Sequence, residues 1–176
     1  FKLMEETIAT FEHLPIPTLA VINGPALGAG LELALACDMR IGSEYAKMGI
    51  PVGRLGIRLS NKFAQRLVNL IGPSRTKELV YTGKILNAEE SFQLGMLNKL
   101  VEHEKLDRYA IKLAKLVASQ SPASLKAIKQ SVANYVNSTE ELWKKDIPFV
   151  DPYDFPEGVA FLMIRRPPRF KRRIQD

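Results

Sequence analysis

The sequence has few of the residues that hold a chain together covalently or through metal ions. It contains one cysteine, Cys37, in 176 residues, which excludes an internal disulfide framework and is typical of proteins from reducing compartments. The two histidines, His13 and His103, lie far apart in the chain. With so few imidazole and thiolate groups, we expect no metal site.

Long apolar runs are also missing. No segment comes near the roughly 18 consecutive apolar residues that a transmembrane helix requires, so we expect no membrane partner. Hydrophobic residues make up 46% of the chain and charged residues 25%, a balance typical of a folded globular protein. The length fits a single domain. We expect a cytoplasmic protein, or a mitochondrial one if the source is a eukaryote.

Positive charge is concentrated at the C-terminal end. The formal net charge is +6, and most of it lies in residues 165–176, whose basic side chains are Arg165, Arg166, Arg169, Lys171, Arg172 and Arg173. A basic patch can bind nucleic acid, but no aromatic-interleaved surface or nucleic-acid motif accompanies this one. We therefore expect no nucleic-acid partner.

Strand patterns come early in the chain and helical patterns accumulate later. Short apolar segments predict strands at 18–22 and 39–42. Apolar residues at helical spacing predict helices that end near Leu14 and Cys37, and further helices at 61–71, 75–82, 104–119, 122–137 and about 139–146. This order indicates an α/β fold with a helical C-terminal part.

Several helix boundaries carry specific signals. Ser60-Asn61 can cap the helix that follows, and Asn87 with Glu90 three residues later is the pattern of a capping box. Gly72-Pro73 should end one helix before Ser74 caps the next.

The segment "NGPALGAGLELA", residues 23–34, surrounds one carboxylate with glycine and alanine. Small residues let the backbone approach another molecule closely, and a helix start offers unpaired N–H donors. The segment therefore suggests an anion or oxyanion held by the main chain beside Glu32.

A longer stretch around this segment resembles the crotonase family, the enoyl-CoA hydratase/isomerase superfamily. Its run is of the type P-x-x-A-x-x-N-G-x-A-x-G-G-G-x-E-L-A-x-x-C-D. The positions in register are Pro17, Ala20, Asn23, Gly24, Ala26, Gly28, Gly30, Glu32, Leu33, Ala34, Cys37 and Asp38. The segments "YTGKILNAEESFQLGMLNKLVE" and "SPASLKAIKQSV" also resemble family motifs, so the resemblance covers nearly the whole chain.

The resemblance implies a ClpP/crotonase fold: a spiral of ββα units followed by helices that build trimer contacts. Residues 1–103 would be the C-terminal part of the core, and residues 104–176 the helical region with its basic tail. Family members bind acyl-CoA thioesters, and coenzyme A then belongs to the substrate, so no separate cofactor is expected. The family also implies a homotrimer or a dimer of trimers.

The resemblance assigns roles to the small-residue segment. An enolate-like oxyanion would accept hydrogen bonds from two backbone N–H groups, one of them that of Ala29, with Gly28 and Gly30 leaving room for the thioester. Glu32 falls on the first of two acids with which hydratases activate water. Without such a role, Glu32 would be an acid favoured in the first turn of a helix by the helix dipole.

The chain departs from the family pattern in two places. Val52 occupies the position of the second acid, and valine can neither accept nor donate a proton. The Gly-rich turn that often follows is replaced by "RLSNKF", residues 58–63, so we expect a reshaped acyl pocket lined in part by Val52.

The resemblance also extends to both ends of the chain. In the family an upstream segment supplies the second oxyanion donor, so we expect the sequence to be N-terminally incomplete. At the other end, Arg165 matches a position where members place a cation near the CoA phosphates, with an ordinary surface arginine as the alternative.

The function expected from these residues is hydration, dehydration or isomerisation of an enoyl-CoA in the metabolism of fatty acids or related acids. Two alternatives remain open. One is a decarboxylase or isomerase of the same family that needs a single acid. The other is a non-catalytic crotonase-like subunit.

Overall fold

The computed structural model describes residues 2–137 and 154–166. Its first half contains α1 (Lys2–Glu12), β1 (Leu19–Ile22), β2 (Pro25–Leu27), α2 (Ala29–Ala36), β3 (Met39–Ser43), β4 (Lys47–Gly49) and a 3₁₀ helix (Val52–Leu55). It continues with α3 (Asn61–Thr82), β5 (Ile85–Leu86), α4 (Ala88–Gln93), β6 (Lys99–Val101), α5 (His103–Ala118), α6 (Pro122–Asn137) and α7 (Asp154–Ile164).

The strands form two small sheets, and the first four strands alternate between them along the chain. One sheet has the order β1-β3-β6 with all strands parallel, and its register pairs Leu19 with Met39 and Ile41 with Lys99. The other has the order β2-β4-β5, in which β2 and β4 are parallel and β5 is antiparallel to β4. This alternation is the arrangement expected for a spiral of ββα units.

The core lies between the sheets and the helices α2 and α3. Side chains from each of these layers are completely buried, among them Leu31 of α2, Ile41 of β3, Met48 of β4 and Leu67 of α3. Burial of such side chains contributes about 1.5–3 kcal/mol each. The start of α2 is held on this core, because α2 packs against α1, β2 and α3.

The local boundary signals are largely confirmed. The Ser60 hydroxyl accepts a hydrogen bond from the Phe63 N–H at 3.1 Å and caps α3. Asn87 and Glu90 form the expected capping box at the start of α4. Gly72 breaks the helical conformation within α3 with a φ of 76°, as predicted. The expectation for Ser74 is wrong, because the helix resumes at Pro73, which suits a first helical position.

Other expectations about strands, helices and domain division missed short elements or concern residues that the structure does not describe. The short strands β2 and β5 were not predicted. The helix expected at 139–146 lies outside the described residues. The helix α5 packs against all three strands of the β1-β3-β6 sheet, and the division at residues 103 and 104 stays a prediction. Within residues 2–137 and 154–166, no helix combines the length and the hydropathy that a bilayer span needs.

Candidate active site

The segment of small residues forms a sharp turn between β2 and α2. Gly28 has a φ of 52° and a ψ of −119°, a conformation that side-chain-bearing residues rarely adopt. Its N–H donates to the Gly49 carbonyl at 3.0 Å, which ties the turn to β4. The turn therefore has a fixed shape, and its conformation explains why a glycine occupies position 28.

The start of α2 presents backbone donors at an open surface. Glu32 N–H donates to the Gly28 carbonyl at 3.0 Å, so the N–H groups of Ala29, Gly30 and Leu31 precede the first helical hydrogen bond. Ala29 and Gly30 are exposed, and a Cβ built at Gly30 would meet no other atom within 4 Å. An anionic oxygen can approach these donors, and the helix dipole favours it there.

Glu32 lies one turn after Ala29 but points into the protein. Its side chain is only 3% exposed, and its Oε1 accepts a hydrogen bond from Nη1 of Arg66 at 3.0 Å. Arg66 comes from α3 and is itself 4% exposed. The carboxyl group is thus held by a buried hydrogen bond from the Arg66 guanidinium, between α2 and α3.

Arg66 also binds two carboxylates of α1. Its Nη1 donates to Glu5 at 2.9 Å and its Nη2 to Glu12 at 2.9 Å. The second oxygen of Glu5 accepts a hydrogen bond from the Ser60 hydroxyl at 3.1 Å. We call Glu5, Glu12, Glu32 and Arg66 the Arg66 cluster. It joins α1, α2 and α3 through one guanidinium.

The Arg66 cluster has three carboxyl groups and a single cation, and Glu32 is the carboxyl group that keeps a proton. Burial, together with a hydrogen bond to Glu5 and its negative charge, raises the pKa of Glu32 to about 8, although Arg66 opposes the shift. Burial would also raise the pKa of Glu5, but the hydrogen bond with Glu32 and the charge of Arg66 outweigh it and lower that pKa. At neutral pH, Glu32 is therefore the protonated member.

The sequence interpretation identified Glu32 but missed its partners Arg66, Glu5 and Glu12. Two signals could have found them. Arg66 lies on the apolar helical face formed by Phe63, Leu67 and Leu70, where an unpaired arginine would be costly. Glu5 and Glu12 lie two helical turns apart on one face of α1.

Comparison with known proteins identifies the chain's family. The sequence profile of the enoyl-CoA hydratase/isomerase family matches residues 2–146. The chain belongs to the enoyl-CoA hydratase/isomerase family. It is 38% identical to an enoyl-CoA isomerase/hydratase of Mycosarcoma maydis over 165 residues, covering 90% of this chain and 60% of that protein. It is 33% identical to the mitochondrial methylglutaconyl-CoA hydratase of Homo sapiens over 171 residues, covering 90% of this chain and 50% of that protein.

Solved structures confirm the crotonase fold. An enoyl-CoA hydratase/carnithine racemase from Magnetospirillum magneticum superposes with a TM-score of 0.74 at 27% identity, covering 96% of this chain and 64% of that chain. Methylmalonyl-CoA decarboxylase superposes with a TM-score of 0.82 at 20% identity, covering 96% of this chain and 67% of that chain, a likeness of fold alone. The chain spans about half the length of several of its relatives.

The sequence resemblance predicts that Val52 stands where a hydratase would carry its second acid. It begins the 3₁₀ helix and is half-buried, packed against the core. The helix α7 packs on this 3₁₀ helix, and at the end of α7 stands Arg165, exposed, with a φ of 53°. The structure thus places the helix that leads to Arg165 against the segment of Val52. The basic residues after Arg166 lie outside the described residues.

Among the cavities formed by the described residues, two lie beside the core, and neither of these two is lined by Gly28, Ala29, Gly30 or Glu32. The larger, of about 530 Å³, lies between α2, α3 and α6, with Glu12 and Arg66 in its wall. The smaller, of about 310 Å³, lies beneath α5 and is lined mainly by apolar side chains. In residues 2–137 and 154–166, no group of three or more His, Cys, Asp or Glu side chains is placed to hold a metal ion.

Proposed function

We propose that this chain binds acyl-CoA thioesters at the turn of Gly28, Ala29 and Gly30 and stabilises a thioester enolate with the backbone N–H of Ala29. The observation that carries the proposal is the open start of α2. The N–H groups of Ala29 and Gly30 come before the first helical hydrogen bond, and these two residues are exposed with no large side chain close to Gly30. Fixed donors of this kind stabilise developing negative charge. Relatives named as hydratases and isomerases of CoA thioesters support the substrate class.

The first candidate reaction is hydration, dehydration or isomerisation of an enoyl-CoA, with Glu32 as the acid or base. The names of the relatives favour it, including a crotonyl-CoA hydratase of Syntrophomonas wolfei that is 38% identical over 127 residues, covering 72% of this chain and 49% of that protein. Val52 argues against water activation by two carboxylates, because it leaves Glu32 as the single acid of the family pair.

A second candidate reaction is decarboxylation of a carboxylated acyl-CoA. Loss of CO₂ generates the enolate without a base, so the enzyme needs an oxyanion site and a proton donor only. Because its pKa is raised to about 8, Glu32 is protonated at neutral pH and can serve as the proton donor that this reaction needs. The remaining alternative, a non-catalytic subunit, would keep the thioester site without turnover.

The assembly and the CoA contact belong to the same proposal. We place Arg165 near the CoA phosphates and the helical region in the contacts of a trimer or a dimer of trimers. Ile128 and Val132 of α6 support subunit contacts, because these large apolar side chains are 58% and 55% exposed. Size-exclusion chromatography with light scattering measures the assembly directly.

The binding site is tested by the substitution Gly30→Ala. A Cβ at position 30 has free space within the chain, and alanine favours the helix by about 0.5–1 kcal/mol. The melting temperature should therefore hold or rise, while affinity for butyryl-CoA, measured by calorimetry, should fall at least about tenfold. Unchanged affinity in the folded variant would place the thioester elsewhere.

The reaction is tested by two substrates in parallel. Loss of the conjugated absorbance of crotonyl-CoA measures hydration, and release of CO₂ from methylmalonyl-CoA measures decarboxylation. Binding without either reaction would favour the non-catalytic subunit, and binding of neither thioester would refute the proposed function.

A further inference from the structure

The two carboxylates of Glu5 and Glu32 share one nitrogen of Arg66. Both accept hydrogen bonds from Nη1, at 2.9 Å for Glu5 and 3.0 Å for Glu32. The Glu5 side chain is 27% exposed, whereas that of Glu32 is 3% exposed. Two carboxylates that meet at one donor repel each other when both are ionised, and the less hydrated one is the more costly to ionise.

The other charged groups around Glu32 strengthen this effect. Glu12 of α1 occupies Nη2 of the same guanidinium, so three acids contact a single cation. The strand β2, which also packs against α2, consists of Pro25, Ala26 and Leu27 and has no titratable side chain. Glu5 is further fixed as the ionised partner, because the Ser60 hydroxyl donates to its second oxygen.

We propose that Glu5, as a positioning residue, keeps Glu32 protonated, so that the acid one helical turn after the Ala29 donor serves as a proton donor to the enolate and not as a base for water. This inference rests on the proposed function and selects among its reactions. The second carboxylate that influences Glu32 is then Glu5 of α1, which shares Nη1 of Arg66 with it. The favoured substrates are thioesters whose enolate forms by loss of CO₂.

The proton balance of that reaction closes on these residues. The bond between the α-carbon and the carboxylate carbon breaks, its electron pair forms the enolate, and CO₂ leaves. The O–H bond of Glu32 then breaks as a C–H bond forms at the α-carbon. The carboxylate left on Glu32 remains paired with Nη1 of Arg66, and a proton from solvent restores the starting state.

Carboxyl titration of the whole 176-residue chain tests the inference without substrate. Protein labelled with ¹³C at the glutamate side-chain carboxyl would be followed by NMR from about pH 4 to 10, with Glu32→Gln identifying the Glu32 resonance. We expect a wild-type midpoint for Glu32 of about 8. In Glu5→Gln the midpoint should fall by about one unit or more, because the neighbouring negative charge is gone.

A matched control comes from the same helix. Glu6 is exposed and faces Lys2 at 4.0 Å, outside the Arg66 cluster, so Glu6→Gln should leave the Glu32 midpoint where it is. An unmoved midpoint in folded Glu5→Gln would overturn the inference. If Glu5→Gln does not fold, the wild-type spectra decide, because the Glu5 resonance must respond over the same pH range as that of Glu32. Independent titration of the two carboxyls would overturn it as well.

The failure of this inference and that of the proposed function are distinguishable. A midpoint that falls in Glu5→Gln while no acyl-CoA binds would refute the proposed function and leave the control of Glu32 by Glu5 standing. Binding of acyl-CoA together with an unmoved midpoint would support the proposed function and refute the control of Glu32 by Glu5. Where turnover is measurable, the high-pH limb of kcat/KM should move to lower pH in Glu5→Gln by the same amount as the NMR midpoint. A merely structural role of Glu5 would not move it.

Discussion

Removal of the guanidinium at the centre of the Arg66 cluster should destabilise the protein more strongly at high pH than at low pH. In Arg66→Met the apolar stem is retained, but the hydrogen bonds to Glu5, Glu12 and Glu32 are lost. Glu5 and Glu12 are 27% and 37% exposed and can regain water. Glu32 cannot, because it is almost completely buried.

The size of the effect follows from the protonation of Glu32. At pH 6 Glu32 is neutral. The variant therefore loses a hydrogen bond to a neutral acid and two ion pairs whose carboxylates are partly exposed, about 2–3 kcal/mol together. Without Arg66 the pKa of Glu32 rises beyond about 8. At pH 9 the variant must therefore keep a neutral carboxyl that ionises freely in the unfolded chain, and the loss grows to about 3–5 kcal/mol.

Urea unfolding followed by far-UV circular dichroism at pH 6 and pH 9 measures both values. Arg75→Met is the matched control, because Arg75 lies in the same helix α3, is 59% exposed and pairs with Glu78 at 2.7 Å. It should cost less than about 1 kcal/mol at either pH. A loss below about 1 kcal/mol for Arg66→Met, or one that does not depend on pH, would refute the reasoning.

Three further substitutions test the site. Glu32→Gln should lower turnover by roughly 10²–10⁴-fold with little change in thioester affinity. Steady-state kinetics measures the turnover and calorimetry the affinity. In the wild type, kcat/KM should decline above a pH of about 8 if Glu32 donates the proton. Gly28→Ala should cost about 1–3 kcal/mol in thermal unfolding, because its φ of 52° strains any side chain. Val52→Glu should destabilise the chain by several kcal/mol without a gain in crotonyl-CoA hydration, since position 52 packs against the core. Restored hydration there would contradict us.

What the sequence could predict depended on how local each signal is. The caps at Ser60 and Asn87 and the break at Gly72 each depend on residues within four positions, so the pattern sufficed. The strands β2 and β5 have three and two residues. Segments this short have no periodicity of their own, and they become strands because β4 lies between them.

In the candidate site, too, the local motif could be predicted from the sequence and the distant contacts could not. The turn of Gly28 and Ala29 is a continuous motif, and the family resemblance located it with Glu32. The environment of Glu32 is set by Arg66, 34 positions away, and Arg66 in turn binds Glu5 at a separation of 61 positions. Contacts at such distances arise only when α1, α2 and α3 pack, so the sequence pattern gave no protonation state for the acid.

The position of Glu32 couples the site's chemistry to its stability. The same helix α2 carries the open donors of Ala29 and, one turn later, an acid fixed to Arg66. Ionisation of Glu32 would strengthen its pairing with Arg66 but would set its charge against that of Glu5. Burial and the charge of Glu5 raise the pKa of Glu32 to about 8, although Arg66 opposes the shift. If Glu32 loses its proton, the new charge lies beside Arg66, whose other contacts are Glu5 and Glu12. A site of this kind is suited to donating one proton and taking it back from solvent, which is the requirement of enolate protonation.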